Sequence, residues 1–383
     1  MKNYSFHRFV YVLIRVIIGP FLKFYMGYSC VKYKGHSKTS LIVSNHVTDV
    51  DPVLLALSFY HHMYFLSSEH AFRAGFASKV LKTLFAPIPF NKTKTDVSAI
   101  KEVLYRLKNG ADVCIFPEGD RSFTGTSVGS SLSIAKLAKS SGVDLITFRI
   151  EGGYFTWPRW SKKKRKGKMS GGVVSRYSSS DIQAMTDEQV LEIINRDIYT
   201  DAYERQKTAP VRYRGHNLAE NIETALYLCP GCNRIGTIKS DGNRFFCECG
   251  LSGIYTETGY LQGHRLPFST TTDWGRWQEQ NLEAVIKNIG GGLICEDDWQ
   301  QLFEVHHAEY KVPVGEGIIQ IGHEVFRCCG KVFPLESITK FAIVGQMTLL
   351  FAVKEGAIYE VRSLVPRSAL KYREIFRVLT GRH

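Results

Sequence analysis

At 383 residues, with 44% apolar and 22% charged residues, the chain has the composition of folded, core-forming protein and the length of roughly two to three domains. This excludes disorder as the main state. The 49 Lys+Arg against 36 Asp+Glu give a formal charge of +13, which predicts an anionic partner: nucleic acid, an acidic membrane surface or a phosphorylated substrate. Four of the nine cysteines crowd between Cys229 and Cys249 while the rest are scattered, a pattern that fits a reducing compartment better than a secreted disulfide scaffold.

Residues 1–28 are apolar but interrupted, with Lys2, Arg8, Arg15 and Lys23 and no acid. A bilayer span needs about 20 consecutive apolar residues. Here Arg15 splits the run and Gly19-Pro20 should kink or break a helix. The expectation is an interfacial helix on anionic lipid, with a core helix capping the next domain as the alternative. The bulky stretch Phe21–Tyr25 offers no small-residue cleavage site, so the bulk of the chain is expected in the cytoplasm.

From Cys30 to about Gln183, short apolar runs alternate with helical stretches. SLIVS (40–44), MYFLS (63–67), VCIF (113–116) and LITFRI (145–150) read as strands. The pattern predicts an α/β unit with a mostly parallel sheet flanked by helices, and a ligand site at the carboxyl ends of its strands. The basic run 159–168 (RWSKKKRKGK) reads as a nucleic-acid or nuclear-localisation patch, a membrane patch with Trp160 at the headgroups, or a solvated loop. A helical connector is expected over Thr186–Gln206. Beyond residue 315, GIIQI, FPLESI, LLFAV and IYEVR read as strands and Ser368–Leu379 as a helix. This tail loosely resembles a pleckstrin-homology-like module.

Two segments at strand ends carry chemistry. Asn45-His46-Val47-Thr48-Asp49-Val50-Asp51 follows SLIVS; a carboxylate at the start of a helix can fix the tautomer of a histidine in the preceding loop and stabilise its imidazolium. Asp51-Pro52 also reads simply as a helix start. Phe116-Pro117-Glu118-Gly119-Asp120-Arg121-Ser122 follows VCIF and reads as a phosphate-reading loop or as a turn with a surface ion pair.

Together, in this order, the two segments resemble the NHxxxxD and FPEGxRS motifs of the glycerolipid acyltransferases, specifically the lysophosphatidate acyltransferases, over residues 29–180. The resemblance implies a glycerol-phosphate acyltransferase-like fold. It also implies acyl transfer from acyl-CoA or acyl-ACP (acyl carrier protein) to a lysophospholipid hydroxyl, with 1-acyl-glycerol-3-phosphate going to phosphatidate. On it, His46 is the general base, Asp51 orients it, Glu118 and Gly119 shape the acceptor site and Arg121 holds the glycerol phosphate; Ser122, Lys92 and Asn45 join the substrate-binding set. A thioester is already activated, so no protein nucleophile is required. Three positions depart from the family: Lys92 where an arginine is usual, with Lys94 as a possible partner; Asp120 in place of threonine; and Thr147 where proline is common.

Cys229-Pro230-Gly231-Cys232 and Cys247-Glu248-Cys249-Gly250 have the spacing of two knuckles offering four thiolates to a structural zinc, with two disulfides or a redox pair as the alternatives. Four thiolates leave no position for a catalytic water. The resulting expectation is an interfacial helix at 1–28, an acyltransferase domain at 29–210, a zinc ribbon at 211–256 and a β-rich module at 257–383, at the cytoplasmic face of a membrane as a peripheral or monotopic protein. Two rivals stand beside it: a lipid-binding member of the fold without turnover, and a zinc-ribbon protein binding nucleic acid. The second is disfavoured because the ribbon offers few stacking aromatics beyond Phe245 and Phe246.

Overall fold

A computed structural model describes residues 4–35, 38–69, 72, 76–92, 96–307 and 310–382. The chain divides into two compact units, Met1–Pro158 with Arg165–Arg214, and Arg159–Lys164 with Gly215–His383.

In the first unit, β1 (Tyr28–Cys30), β2 (Ser40–Ser44), β3 (Met63–Ser68), β4 (Ile88–Phe90), β5 (Asp112–Ile115), β6 (Asp144–Glu151) and β7 (Met169–Tyr177) form one sheet in the order β1-β7-β6-β2-β5-β3-β4. The five strands from β6 to β4 run parallel, β7 is antiparallel to β6, and β1 is parallel to β7. Every residue of β2 is buried, as expected for a continuous apolar run at the centre of a parallel sheet. Its alternating side chains serve two cores. Leu41 and Val43 pack with Val103, Ala135 and Ile194 from covering helices, whereas Ile42 joins Leu54, Leu55, Tyr11 and Met26 on the other face.

The segment expected to be one connector is two helices, Asp187–Ile198 and Ala202–Thr208, each with its own cap. Thr186 and Gln189 form a capping box on the first, and Asp201 accepts from the Tyr203 and Glu204 amides at the start of the second. Val190, Ile194 and Ile198 lie in the core, so this segment belongs to the domain rather than linking it to the next.

The N-terminal helix also departs from expectation. Gly19-Pro20 does not break it, because a π-helical turn over Ile14–Ile18 carries Tyr4–Leu13 into Gly19–Met26 and seats the proline in the first turn of the second segment. Residues Tyr4–Met26 are long and apolar enough to cross a membrane by length and composition. One face is nevertheless fastened to the sheet unit: Tyr11 Oη donates to the Ala56 carbonyl at 3.0 Å, and His7 Nδ1 lies 3.1 Å from Tyr64 Oη. Arg15 reaches back to the Tyr60 carbonyl at 3.4 Å and stacks over the Tyr60 ring. Phe9, Val12, Val16, Ile17, Phe21 and Phe24 are left exposed on the outside.

The second unit contains a four-stranded sheet of β8 (Lys239–Asp241), β9 (Arg244–Phe246), β10 (Ser252–Tyr255) and β11 (Leu261–His264). It also contains an antiparallel sheet of β12 (Leu293–His307), β13 (Tyr310–Gly322), β14 (Val325–Cys328), β15 (Lys331–Pro334), β16 (Ile338–Val344), β17 (Thr348–Val353) and β18 (Ile358–Ser363), in the order β15-β14-β13-β12-β18-β17-β16. FPLESI is not one strand: a turn over Leu335–Ser337 separates β15 from β16. The helix Ala369–Thr380 buries Tyr372, Ile375 and Phe376, and Phe376 packs on Phe341 with ring centroids 4.7 Å apart. The helix Thr271–Ile289, unforeseen in the sequence, buries Trp274 and Gln278; Gln278 accepts from the Tyr227 amide and donates to the Ala225 carbonyl.

The interfacial reading of Trp160 is overturned. Trp160 is fully buried against Tyr255, Arg159 Nε donates to the Gly345 carbonyl at 2.8 Å, and the Ser161 carbonyl accepts from Gln346. The exposed charges of the run are Lys162, Lys163, Lys166 and Lys168.

Candidate active site

β2 and β5 are neighbours in parallel, with Val43 opposite Ile115, so the loops leaving their carboxyl ends are adjacent. His46 sits in the first loop and Phe116 begins the second; their rings stack with centroids 4.7 Å apart. His46 Nδ1 is 2.8 Å from Asp51 Oδ2. That oxygen also accepts from the Val47 and Thr48 amides at 2.6 and 2.8 Å, and Thr48 Oγ1 donates to Oδ1 at 2.5 Å. Asp51 is completely buried, and these four donors hold its carboxylate facing the loop behind it rather than capping its own helix. With Nδ1 bound to Asp51, Nε2 is the nitrogen left to meet a substrate.

His46 opens onto a cavity of about 470 Å³, which is also lined by Glu118 and Ser122. Burial pushes the Glu118 carboxyl up to about 8, although the His46 backbone and the Ser127 hydroxyl favour its ionised form. It is therefore predominantly protonated at neutral pH, and its Oε1 has no hydrogen-bond partner among the described residues. Ser122 Oγ accepts from the Thr124 and Gly125 amides at 3.2 and 2.9 Å, which folds the loop back under the cavity. Gly119 takes φ +69 with open space around a would-be Cβ, so glycine serves the turn conformation there rather than a close approach.

The remaining candidates lie off the cavity lining. Asn45 is fully buried and exchanges two 2.8 Å hydrogen bonds with the backbone of Ile150, tying the His46 loop to the end of β6. Arg121 is buried, 3.3 Å from Asp49 and 5.9 Å from the Trp157 ring centroid; the contact with Asp49 places it beside the His46 loop. Lys92 Nζ lies 2.8 Å from Asp120 Oδ1, so two of the three departures from the family pattern meet in one ion pair. Lys94 lies outside the described residues. The third departure, Thr147, is buried in a polar network: its hydroxyl donates to Asp197 at 2.8 Å and accepts from the Ser175 amide at 3.1 Å, where β6 and β7 shift register. A proline could supply neither bond. Cys114 is completely buried, and burial pushes its thiol well above its ordinary value, leaving it a protonated core residue.

Other parts of the cavity lining come from residues that no motif flagged: Arg149, Glu151, Gly152 and Gly153 at the end of β6, and Tyr199, Thr200, Asp201, Ala202, Glu204 and Arg205 around the second of the two late helices. The Thr200-Asp201 pair, a cap signal within the expected connector, was the available clue.

In the second unit, Cys229, Cys232, Cys247 and Cys249 bring their four sulfurs within 4.8 Å of one another. Cys229 and Cys249 Sγ are 3.6 Å apart and Cys232 and Cys247 Sγ 3.8 Å. Zinc–sulfur bonds of about 2.3 Å in a tetrahedron require sulfur separations of about 3.8 Å, so the cluster could hold zinc as it stands.

Residues 30–151 match the family model described as Acyltransferase. Among solved structures, the chain is similar to the 1-acyl-sn-glycerophosphate (LPA) acyltransferase PlsC from Thermotoga maritima. That match has 17% sequence identity and a TM-score of 0.38, and covers 56% of this chain and 100% of that one.

Proposed function

Taking an acyltransferase-family domain as the starting point, we propose that this protein transfers an acyl group from acyl-CoA or acyl-ACP to the hydroxyl of a lysophospholipid, with 1-acyl-glycerol-3-phosphate as acceptor and phosphatidate as product. The observation that carries the reading is the His46–Asp51 pair at 2.8 Å, on a completely buried carboxylate and at the mouth of a cavity. His46 Nε2 takes the hydroxyl proton as the oxygen attacks the thioester carbonyl. The tetrahedral intermediate collapses with cleavage of the C–S bond, and the imidazolium returns its proton to the departing thiolate. Asp51 stabilises the imidazolium in between. The neutral Glu118 carboxyl supplies a hydrogen-bond donor inside the cavity. Arg121, which the resemblance assigns to the acceptor phosphate, sits 3.3 Å from Asp49 beside the His46 loop.

The outer apolar face of Tyr4–Met26, with Arg8 and Lys23 and no acid on the helix, supports a peripheral or monotopic seat on an anionic cytoplasmic membrane surface, where lysolipid is delivered. The four cysteines are read as a structural zinc site that fixes the ribbon. The four-strand and three-strand meanders joined by the β12–β18 pairing, with one terminal helix, support the pleckstrin-homology-like reading of the remainder. The deciding experiment incubates the purified protein on vesicles with a panel of lysolipids and both thioester classes, followed by mass analysis. A product heavier than lysophosphatidate by one acyl chain is expected; its absence with every donor would refute acyl transfer.

A further inference from the structure

An acceptor phosphate needs a cation facing the cavity, and neither cation nominated by the motifs lines it: Lys92 lies against Asp120, and Arg121 against Asp49. Arg205 does line it. This residue comes from the helix Ala202–Thr208, beyond the stretch that matches the family model. Its guanidinium is positioned from several sides. Nη2 donates to Ser170 Oγ at 3.3 Å, and Nε is 3.6 Å from the Glu151 carboxylate. Nη1 lies over Gly152, where an added Cβ would come within 2.7 Å of it. Gly152 also has φ +76, so two independent constraints keep that position free of a side chain. Nη1 is buried and has no hydrogen-bond partner among the described residues.

The charges around it favour an anion. Arg149 stands on the same wall, its Nη1 donating to the Tyr199 carbonyl at 3.3 Å. The neighbouring acids are engaged: Asp201 caps the helix, Glu204 pairs with Lys207 at 2.7 Å, and Glu151 supports Arg205 itself. His46 lines the same cavity. Val47, next to His46, packs so tightly on Gly153 that a Cβ there would lie 2.4 Å from Val47 Cγ2. His46 and Arg205 therefore flank one Gly152-Gly153 turn.

We propose that Arg205 is a substrate-binding residue whose guanidinium takes a phosphate oxygen at the cavity wall while His46 serves the reacting hydroxyl. This rests on the acyl-transfer reading for the identity of the substrate, but not for the anion site itself. The phosphate could belong to the acceptor's glycerol phosphate or to the nucleotide of coenzyme A, and the test separates them.

Titration calorimetry of the full-length protein with glycerol 3-phosphate and, separately, coenzyme A would be run on the wild type, Arg205→Ala, Arg205→Lys and the control Lys108→Ala, an exposed lysine at the end of the helix Val97–Lys108. Arg205→Ala is expected to weaken one of the two ligands at least tenfold, with an intermediate loss for Arg205→Lys and none for Lys108→Ala. Loss for glycerol 3-phosphate assigns the phosphate to the acceptor, and loss for coenzyme A assigns it to the donor. Should Arg205→Ala fail to fold, the Lys variant carries the comparison. Unchanged binding of both ligands, or no binding by the wild type, overturns the proposal. Wild-type binding that depends on Arg205, without turnover on any lysolipid, would leave the anion site standing and remove acyl transfer.

Discussion

The four-cysteine cluster and the His46 cavity are built on opposite plans. The cluster draws its ligands from two turns within 21 residues, each a pair of cysteines beside a glycine, and Gly231 packs against Cys249. The cavity joins the ends of β2, β5 and β6 to a helix start near residue 201, so its walls come from segments more than 150 residues apart. A site written into local spacing can be found in a sequence; a site assembled by a sheet shows only the parts that carry motifs. The two should also fail differently, one through loss of fold and the other through loss of turnover.

The largest effect should come from the cluster. Removing a structural zinc forfeits an apparent binding energy of about 10–16 kcal/mol. Cys232→Ser, or prolonged chelation of the wild type, is expected to take metal content from one ion per chain to none and to open the ribbon to protease between residues 229 and 255. A metal-free wild type that resists protease equally well would break the contrast. Next comes His46→Ala, expected to lower turnover by roughly 10²–10⁴-fold with the melting temperature unchanged. Retained turnover would remove His46 as the base, and a collapsed melting temperature would make it a structural residue like the cysteines.

A smaller effect, dependent on pH, tests the electrostatics of the cavity. The Glu118 carboxyl is raised from 4.5 to about 8 by burial. The unfolded chain therefore releases this proton at lower pH than the folded one, and Glu118 costs no stability below about 4.5, an increasing amount as pH rises toward 8, and its full penalty above that. Glu118→Gln should match the wild type in thermal melts near pH 4.5 and become progressively the more stable of the two as pH approaches 8. A constant difference across that window would mean that the carboxyl is ionised in the fold. The smallest effect concerns Lys92 and Asp120. A double-mutant cycle to alanine should return a coupling of about 1 kcal/mol, as expected for a half-buried pair. Additive single losses would show that the two departures from the family pattern do not compensate.

The strands and both chemical motifs could be read in advance because each rests on a local signal: unbroken apolar runs for β2 and β5, the His-x4-Asp spacing, and the paired cysteines. What escaped was set by tertiary context. Arg205 and Arg149 carry no motif and become cavity residues only because the chain breaks at Thr200-Asp201 and turns a new helix toward the end of β6. Trp160 sits among lysines, the surroundings of an interfacial residue, yet its own ring packs on Tyr255. Pro20 marks a break in most helices, but a π turn just before it absorbed the missing amide. Asn45, placed with the substrate-binding residues by family resemblance, holds the backbone of Ile150, a contact that no local spacing announces.

Four donors converge on the completely buried carboxylate of Asp51. The imidazole is thus aimed by the fold itself, before any ligand arrives. Warming that loosens this knot would expose a charge and turn the imidazole in the same event, so under the proposed acyl transfer the loss of turnover and the first melting of the domain should share one temperature.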